Sequence, residues 1–430
     1  MKNVHTACHY ELTGLATNLH LIVVMSGATT VPRDSTGPGR STPLAGTQAR
    51  SNANGVIVHA NIEGEFEFAA ENRVLALRLL QQQFPIQVAP LSGQQLQSHS
   101  PSLRVLGRQL KELLHDRLDL AGSVLYQSGD PVAWNLDFYG RCRVGRAAFG
   151  TDRIPDGWAE RCNAFDELWL PSEFHRETFA ASGVERSKIR VIPYALDSEL
   201  FSSHRPPLQL QSMPANSFRF LAIADGWLAP GVDTLVRAFI EEFSPDEDVA
   251  LVIHCTPIRG GDPFIDVEAE LISFIETNLG KKLEDVPTIA LLIGSLSQED
   301  RASLFASSQA FVQPARAEAT GRHCLEALAC QLPVIATNWG PLNDFLTEQN
   351  SFPVTTDGLV AAQPEENELF AGHRWAESKL DHLRLQMRQV FQNPKESARR
   401  AAQGCRDAID RFEWTVVLPE WIRNFRRLLD

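Results

Sequence analysis

The chain has 430 residues, 43% of them apolar and 22% charged, which is the length of two α/β domains and the composition of an ordinary globular protein. A formal net charge of −13 excludes nucleic acid or an anionic membrane as the main partner, since both require a basic footprint. The 7 cysteines are scattered, with no C-x-x-C pair; reduced thiols packed as small hydrophobes in a cytoplasmic protein fit this better than a disulfide framework or a zinc site.

Residues 1–54 are expected to be a poorly ordered lead-in. The first half has no sustained periodicity, and residues 28–54 are rich in Ser, Thr, Gly and Pro, too polar to offset chain entropy. The apolar run at residues 19–25 is far shorter than a bilayer crossing and lacks the flanks of a signal peptide, so no membrane span is expected. Order begins at residues 55–60 (GVIVHA), a buried-strand pattern. The turn at residues 61–66 carries Gly64 and Glu65, and a helix follows over residues 69–82, which makes a first βα unit. Gly64 either lets the backbone approach a ligand or serves a plain turn. His59, on an apolar strand, reads as a satisfied core histidine. Further strands are expected over residues 86–91 and 123–127, with an amphipathic helix over residues 103–120 between them. The second of these strands ends at Ser128-Gly129-Asp130-Pro131. A carboxyl edge is where catalytic groups of such sheets lie, which makes Asp130 a candidate, although Asp before Pro is also a common turn former. A strand over residues 168–170 runs into a helix capped by Ser172, and residues 190–193 close a domain spanning 55–201.

Residues 202–216 hold three prolines and no clear period, and are read as a linker. The second domain is placed at 217–411. Strands are expected over residues 218–224, 248–254 and 288–294, with helices over residues 232–243 and 264–279 and a helix capped by Ser297. The stretch from Phe311 to Phe345, FVQPARAEATGRHCLEALACQLPVIATNWGPLNDF, organises this domain. A strand end breaks at Pro314, a polar loop runs through Gly321, and a helix with Cys324, Leu325 and Leu328 on one face leads to a buried strand over residues 334–337. Glu318 lies in the loop and Glu326 in the helix, so both can face one crevice at the carboxyl ends of parallel strands. The amides of Arg322, His323 and Cys324 open the helix and favour a phosphate. A carboxylate one turn further on can accept hydrogen bonds from ribose hydroxyls. Phosphate, ribose and sugar together point to a nucleotide sugar. Taken alone, a pair at this spacing is usually no more than solvated helix charges, since such spacing arises often by chance. A final helix is expected over residues 412–430, packing back toward the first domain.

Glu318 to Glu326 resembles the E-x7-E motif of retaining GT-B glycosyltransferases, and AEATGRHCLEALACQLPVIATNWGP is similar to a subgroup of glycosyltransferase family 4 reading roughly GEGWGRPxxEAMAxGLPVIATNWSG. Residues 165–174, FDELWLPSEF, resemble the family's DEIWVPSxF. Residues 141–158 resemble RVGRxxFETDRLPxxW, with Gly150 where the subgroup has Glu. The loop at residues 227–231, WLAPG, departs furthest: the subgroup has a basic WxxRKG there, and no cation remains to offset a donor diphosphate.

This resemblance implies two Rossmann-like doubly wound domains facing each other across a cleft. The expected reaction is transfer of a sugar from a nucleoside diphosphate sugar to an acceptor hydroxyl, a glycan, lipid or small molecule, with retained configuration and with neither metal nor further cofactor. Glu318 would hold sugar hydroxyls and support oxocarbenium charge, and Glu326 would grip the ribose. Gly321, Arg322, His323 and Cys324 would take the diphosphate, while Gly294, Ser295 and Leu296 would lie by the base. Asp130, Gly64 and Glu65 would face the acceptor. The alternative is a catalytically weak relative that binds a nucleotide, glycan or protein, which the changes at Gly150, Ala229 and Pro230 favour.

Overall fold

The computed structural model describes residues 21–25, 53–62, 67–89, 113, 118–137, 139–210, 213–214, 216–224, 231–255, 263–363 and 368–430. Gly64, Glu65, the loop at residues 225–230 and most of the helix expected over residues 103–120 lie outside these. The strands in chain order are β1 (Leu21–Met25), β2 (Val56–Val58), β3 (Ile86–Val88), β4 (Val124–Ser128), β5 (Cys142–Arg146), β6 (Glu167–Leu170), β7 (Ile189–Val191), β8 (Phe218–Ala224), β9 (Val249–Cys255), β10 (Thr288–Ile293), β11 (Ala310–Gln313), β12 (Val334–Thr337), β13 (Phe352–Val354), β14 (Thr356–Ala361) and β15 (Arg374–Ser378). The helices are α1 (Glu67–Gln81), α2 (Trp158–Asn163), α3 (Glu173–Ala181), α4 (Val232–Glu242), α5 (Pro263–Ser273), α6 (Gln298–Ala306), α7 (Arg322–Ala329), α8 (Leu380–Gln392), α9 (Pro394–Phe412) and α10 (Trp414–Leu429).

Two compact units divide the chain: an N-terminal unit of Val31–Asp197, Ala319–Arg322 and Ala408–Asp430, and a C-terminal unit of Met1–Thr30, Ser198–Glu318 and His323–Asp407. In the N-terminal unit six parallel strands run in the order β3-β2-β4-β5-β6-β7. Most residues of the central strands are buried, as expected of a parallel sheet with helices packed on it. α1 contributes Leu75, Ala76 and Leu79 to the core, and α10 contributes Trp414, Val417, Leu418, Trp421 and Phe425. Trp421 packs edge-on to Tyr126 and Trp169, with ring centroids 5.6 and 5.3 Å apart. Arg146 lies over the same indole at 4.9 Å and is paired with Glu71 at 2.6 Å, both side chains fully buried. Ser172 caps α3 by accepting the His175 amide at 3.2 Å.

The C-terminal unit has seven parallel strands in the order β1-β10-β9-β8-β11-β12-β13. At its edge Leu21–Met25 pairs in register with Ile289–Ile293 of β10, a strand rich in branched apolar residues that departs from the expectation of a poorly ordered lead-in for these five residues; residues 1–20 and 26–52 of that stretch lie outside the described residues. Residues 202–210 likewise do not hang free: the Leu208 amide donates to Ser303 O at 2.9 Å, and Phe201 meets Phe305 edge-on at 6.1 Å. The stretch from residue 377 to 411 is the end of β15 followed by α8 and α9, which are separated at Asn393 before Pro394. Among the described residues no helix is long and apolar enough to cross a membrane.

Strand order locates the functional edge of each sheet. In the C-terminal sheet β8 leads to β9 and β10 on one side, while β11, β12 and β13 fall on the other, so order reverses between β8 and β11. In the N-terminal sheet it reverses between β2 and β4. Open α/β sheets bind ligands at the carboxyl ends of strands flanking such a reversal.

Candidate active site

The reversal between β8 and β11 is closely packed. Gly231, which starts α4 with φ +75°, lies so near the next loop that a Cβ there would stand 2.2 Å from Pro314 O. Only glycine tolerates both this conformation and this approach. Beyond Pro314, Arg316 holds the loop down. Its guanidinium bonds Asp233 of α4 at 2.6 and 2.9 Å and Glu377 of β15 at 2.7 and 2.9 Å. Burial by itself would favour the neutral form of Arg316, but the bonds to Asp233 and Glu377 outweigh it and hold the group more firmly charged than usual.

Glu318 follows two residues later, half-buried, and accepts the Gln313 amide at 3.1 Å. Gly321, at φ +77°, turns the chain into α7. The Arg322 amide reaches Thr320 Oγ1 at 3.3 Å. Arg322 and Cys324 are buried, and His323 is partly exposed. Burial, with the negative charge of Glu318 adding to it, pushes the Cys324 thiol well above its usual value, which makes it a packing group rather than a nucleophile.

Glu326 is 3% exposed. Arg301 of α6 grips it with both arms, Nε to Oε2 at 3.1 Å and Nη2 to Oε1 at 3.0 Å, and His323 Nδ1 lies 3.0 Å from Oε2. These bonds orient the Glu326 carboxylate. Gly294, with φ +133°, donates its amide to Cys255 O at 3.0 Å and accepts His254 Nε2 at 2.9 Å. Burial lowers His254 to about 4, the Gly294 bond opposes this, and the charges of Arg301 and His323 lower it further. Ser295 is exposed and Leu296 buried.

Of the residues expected to bind a donor, Gly321 and Arg322 fall in the N-terminal unit, whereas Glu318, His323, Cys324, Glu326 and Gly294 to Leu296 fall in the C-terminal unit. In the latter, Arg301 and His323 hold Glu326. Asp130 belongs to the other unit, at the end of β4 beside that sheet's own reversal, where Oδ1 accepts the Val132 amide at 2.8 Å and caps a short turn. Four residues escaped the sequence reading: Arg301, His254, Gln313 and Arg316. Arg301 left one trace, as a lone cation beside Ala302, Leu304 and Phe305 on the buried side of its helix.

Residues 286–390, a span that includes both glutamates, match the family model "Glycosyl transferases group 1". No curated protein sequence matches the chain. Solved structures do. A glycosyltransferase from Rickettsia africae is 14% identical with a TM-score of 0.61, covering 88% of this chain and 99% of that one. HepE from Anabaena, in complex with UDP-glucose, is 14% identical with a TM-score of 0.60, covering 87% and 100%. Sucrose-phosphate synthase from Thermosynechococcus elongatus is 13% identical with a TM-score of 0.62, covering 87% and 99%. At such identity the likeness is one of fold, and the chain has the GT-B fold, two Rossmann-like α/β domains each built on a parallel sheet.

Proposed function

We propose that the protein is a retaining glycosyltransferase of family 4 that moves a sugar from a nucleoside diphosphate sugar to an acceptor hydroxyl, without a metal. The observation that carries this is the placement of Glu318 and Glu326 on either side of an amide-rich helix start, at the strand-order reversal of the C-terminal sheet. The group 1 family model over residues 286–390 and the UDP-glucose bound by HepE support it. Glu318, with one oxygen on Gln313, holds sugar hydroxyls and steadies positive charge as the bond to the diphosphate breaks. Glu326, set by Arg301, accepts the ribose hydroxyls. The amides at Arg322 to Cys324, with the Arg322 side chain, receive the leaving diphosphate. Backbone atoms at Gly294, Ser295 and Leu296 meet the base, while Asp130, Gly64 and Glu65 serve the acceptor. A cytoplasmic location is supported by six buried free cysteines among the described residues.

The test is calorimetric titration with UDP, GDP and ADP, followed by turnover of the matching sugar donors with wild type and Glu318→Gln. The variant is expected to keep nucleotide affinity within about twofold and to lose roughly a hundredfold in kcat, the scale of one lost transition-state contact. Unchanged turnover in a preparation that binds nucleotide would refute the role of Glu318. A second reading, a binding protein of the same fold with little catalysis, is favoured by the near-complete enclosure of Glu326 and by the commitment of the Arg316 charge to Asp233 and Glu377. Nucleotide binding with no turnover of any donor would select it.

A further inference from the structure

α10 changes character along its length. Trp414, Leu418, Pro419 and Ile422 fall in its first part, and Arg423, Arg426 and Arg427 in its last. All of them line one groove of about 920 Å³, to which Arg78, Gln81 and Gln82 contribute from the end of α1. This is the upper end of the usual size of ligand pockets. Every lining residue belongs to the N-terminal unit, and none is among those assigned above to donor or acceptor.

Most of the cations there are uncommitted. Among the described residues the guanidiniums of Arg78, Arg423 and Arg426 have neither a hydrogen-bond nor an ion-pair partner. Arg427 is held, by Glu167 at 2.7 and 2.8 Å. Asp430 is the one carboxylate among the described residues of the lining. Cations do favour the C-terminal turns of helices, but that preference gives no reason for arginines of two different helices to share a groove. Like charges gathered on a concave surface repel one another and focus a positive potential, although the chain as a whole carries −13. An anion seated among them relieves that repulsion.

The rest of the lining decides the body of the ligand. Leu418 is buried, Ile422 half-buried and Pro419 exposed, and with the arginine stems they offer carbon and no hydrogen-bonding group. Leu418 and Arg426 stand roughly 12 Å apart along the helix, at about 1.5 Å per residue, so the apolar and cationic parts of the groove are separated. A ligand polar throughout would set hydrogen-bonding groups against carbon; an anionic head on a hydrocarbon tail meets both parts. We propose that this groove binds a single anionic amphiphile, a phosphate or carboxylate on an aliphatic chain, independently of the donor-site assignment. The occupant is a monomer and not a bilayer, because the surface is concave and an anionic membrane repels a chain of net charge −13.

Calorimetric titration of the full chain with decyl phosphate and decanoate, each below its micelle concentration, tests this. Inorganic phosphate supplies the head alone, decyl glucoside the tail on a neutral head, and phosphatidylglycerol vesicles the bilayer. Decyl phosphate or decanoate is expected to bind, and inorganic phosphate and decyl glucoside to bind at least about tenfold more weakly. Arg78→Gln, Arg423→Gln and Arg426→Gln remove side chains with no partner to strand, and each is expected to weaken binding about tenfold. Pro419→Glu, which sets a carboxylate against the tail, is expected to weaken it similarly. Arg237→Gln removes the same charge from an exposed position of the C-terminal unit and is expected to leave affinity unchanged. The proposal fails if neither amphiphile binds, if inorganic phosphate or decyl glucoside binds as tightly, or if the three groove arginine variants keep wild-type affinity. It fails equally if Arg237→Gln loses as much as they do, or if vesicles bind where the monomers do not.

Discussion

Arg301→Met isolates the contact on which the donor site rests. Both partners are nearly enclosed, with side chains 5% and 4% exposed, and the guanidinium supplies two hydrogen bonds to Glu326. Methionine keeps apolar contact with Phe201, over which the guanidinium lies at 5.4 Å, but takes both guanidinium bonds from the carboxylate, while His323 Nδ1 stays 3.0 Å from Oε2. Stranding one member of a buried ion pair costs about 3–5 kcal/mol. The contact with His323 remains, so the cost falls toward about 3 kcal/mol. For a unit of this size each kcal/mol moves the midpoint by about 2–4 °C, and a drop of roughly 10 °C follows. Urea and thermal unfolding of Arg301→Met, Glu326→Met and the double variant give the coupling directly. The double variant is expected near wild type, because two apolar residues replace a buried pair at little cost. If Arg301→Met costs less than about 1 kcal/mol, or if the double variant shows the sum of the single losses, the pair does not hold Glu326 as described.

Acid is expected to destabilise the fold. Burial lowers His254 to about 4 and, with the Arg146 charge next, lowers His175 to about 3; His59 is also lowered by burial. Below the ordinary value of 6.5 the unfolded chain takes up protons that these folded histidines refuse, so stability falls as pH falls, by up to about 1.4 kcal/mol per unit for each. Urea midpoints at pH 7 and 5 should therefore diverge, and less so in His254→Gln; an equal slope in that variant would remove His254 from the account. Gly231→Ala forces a Cβ against Pro314 O, 2.2 Å away, in a left-handed conformation. A loss of about 1–3 kcal/mol is expected, with weaker nucleotide binding because the displaced loop carries Glu318; calorimetry showing wild-type affinity would mean that this approach does not position the site.

What could be read early were features set by neighbours in the chain. Apolar runs such as residues 218–224 and 288–293 announce strands buried on both faces, and Ser172 and Ser297 stand before their helices as caps. The alternation of strand, turn and helix therefore specified the doubly wound class. The Glu318 loop and Glu326 helix were legible for the same reason, since their spacing lies within one βα unit.

The partners of these groups were not legible. Arg301 and Glu326 meet across 25 positions of sequence, Arg316 and Glu377 across 61, and Leu21 pairs with Ile289 from the far side of the chain. Local periodicity sets which way a side chain faces, but the strand order of the sheet decides what it faces. So the sequence by itself determined most strands and helices of the two parallel sheets, and that Glu318 lies in a loop and Glu326 in the helix after it. Only the tertiary structure decided that one is gripped by an arginine and the other by a glutamine, because those contacts form when separated helices and strand ends are drawn to one edge of a sheet.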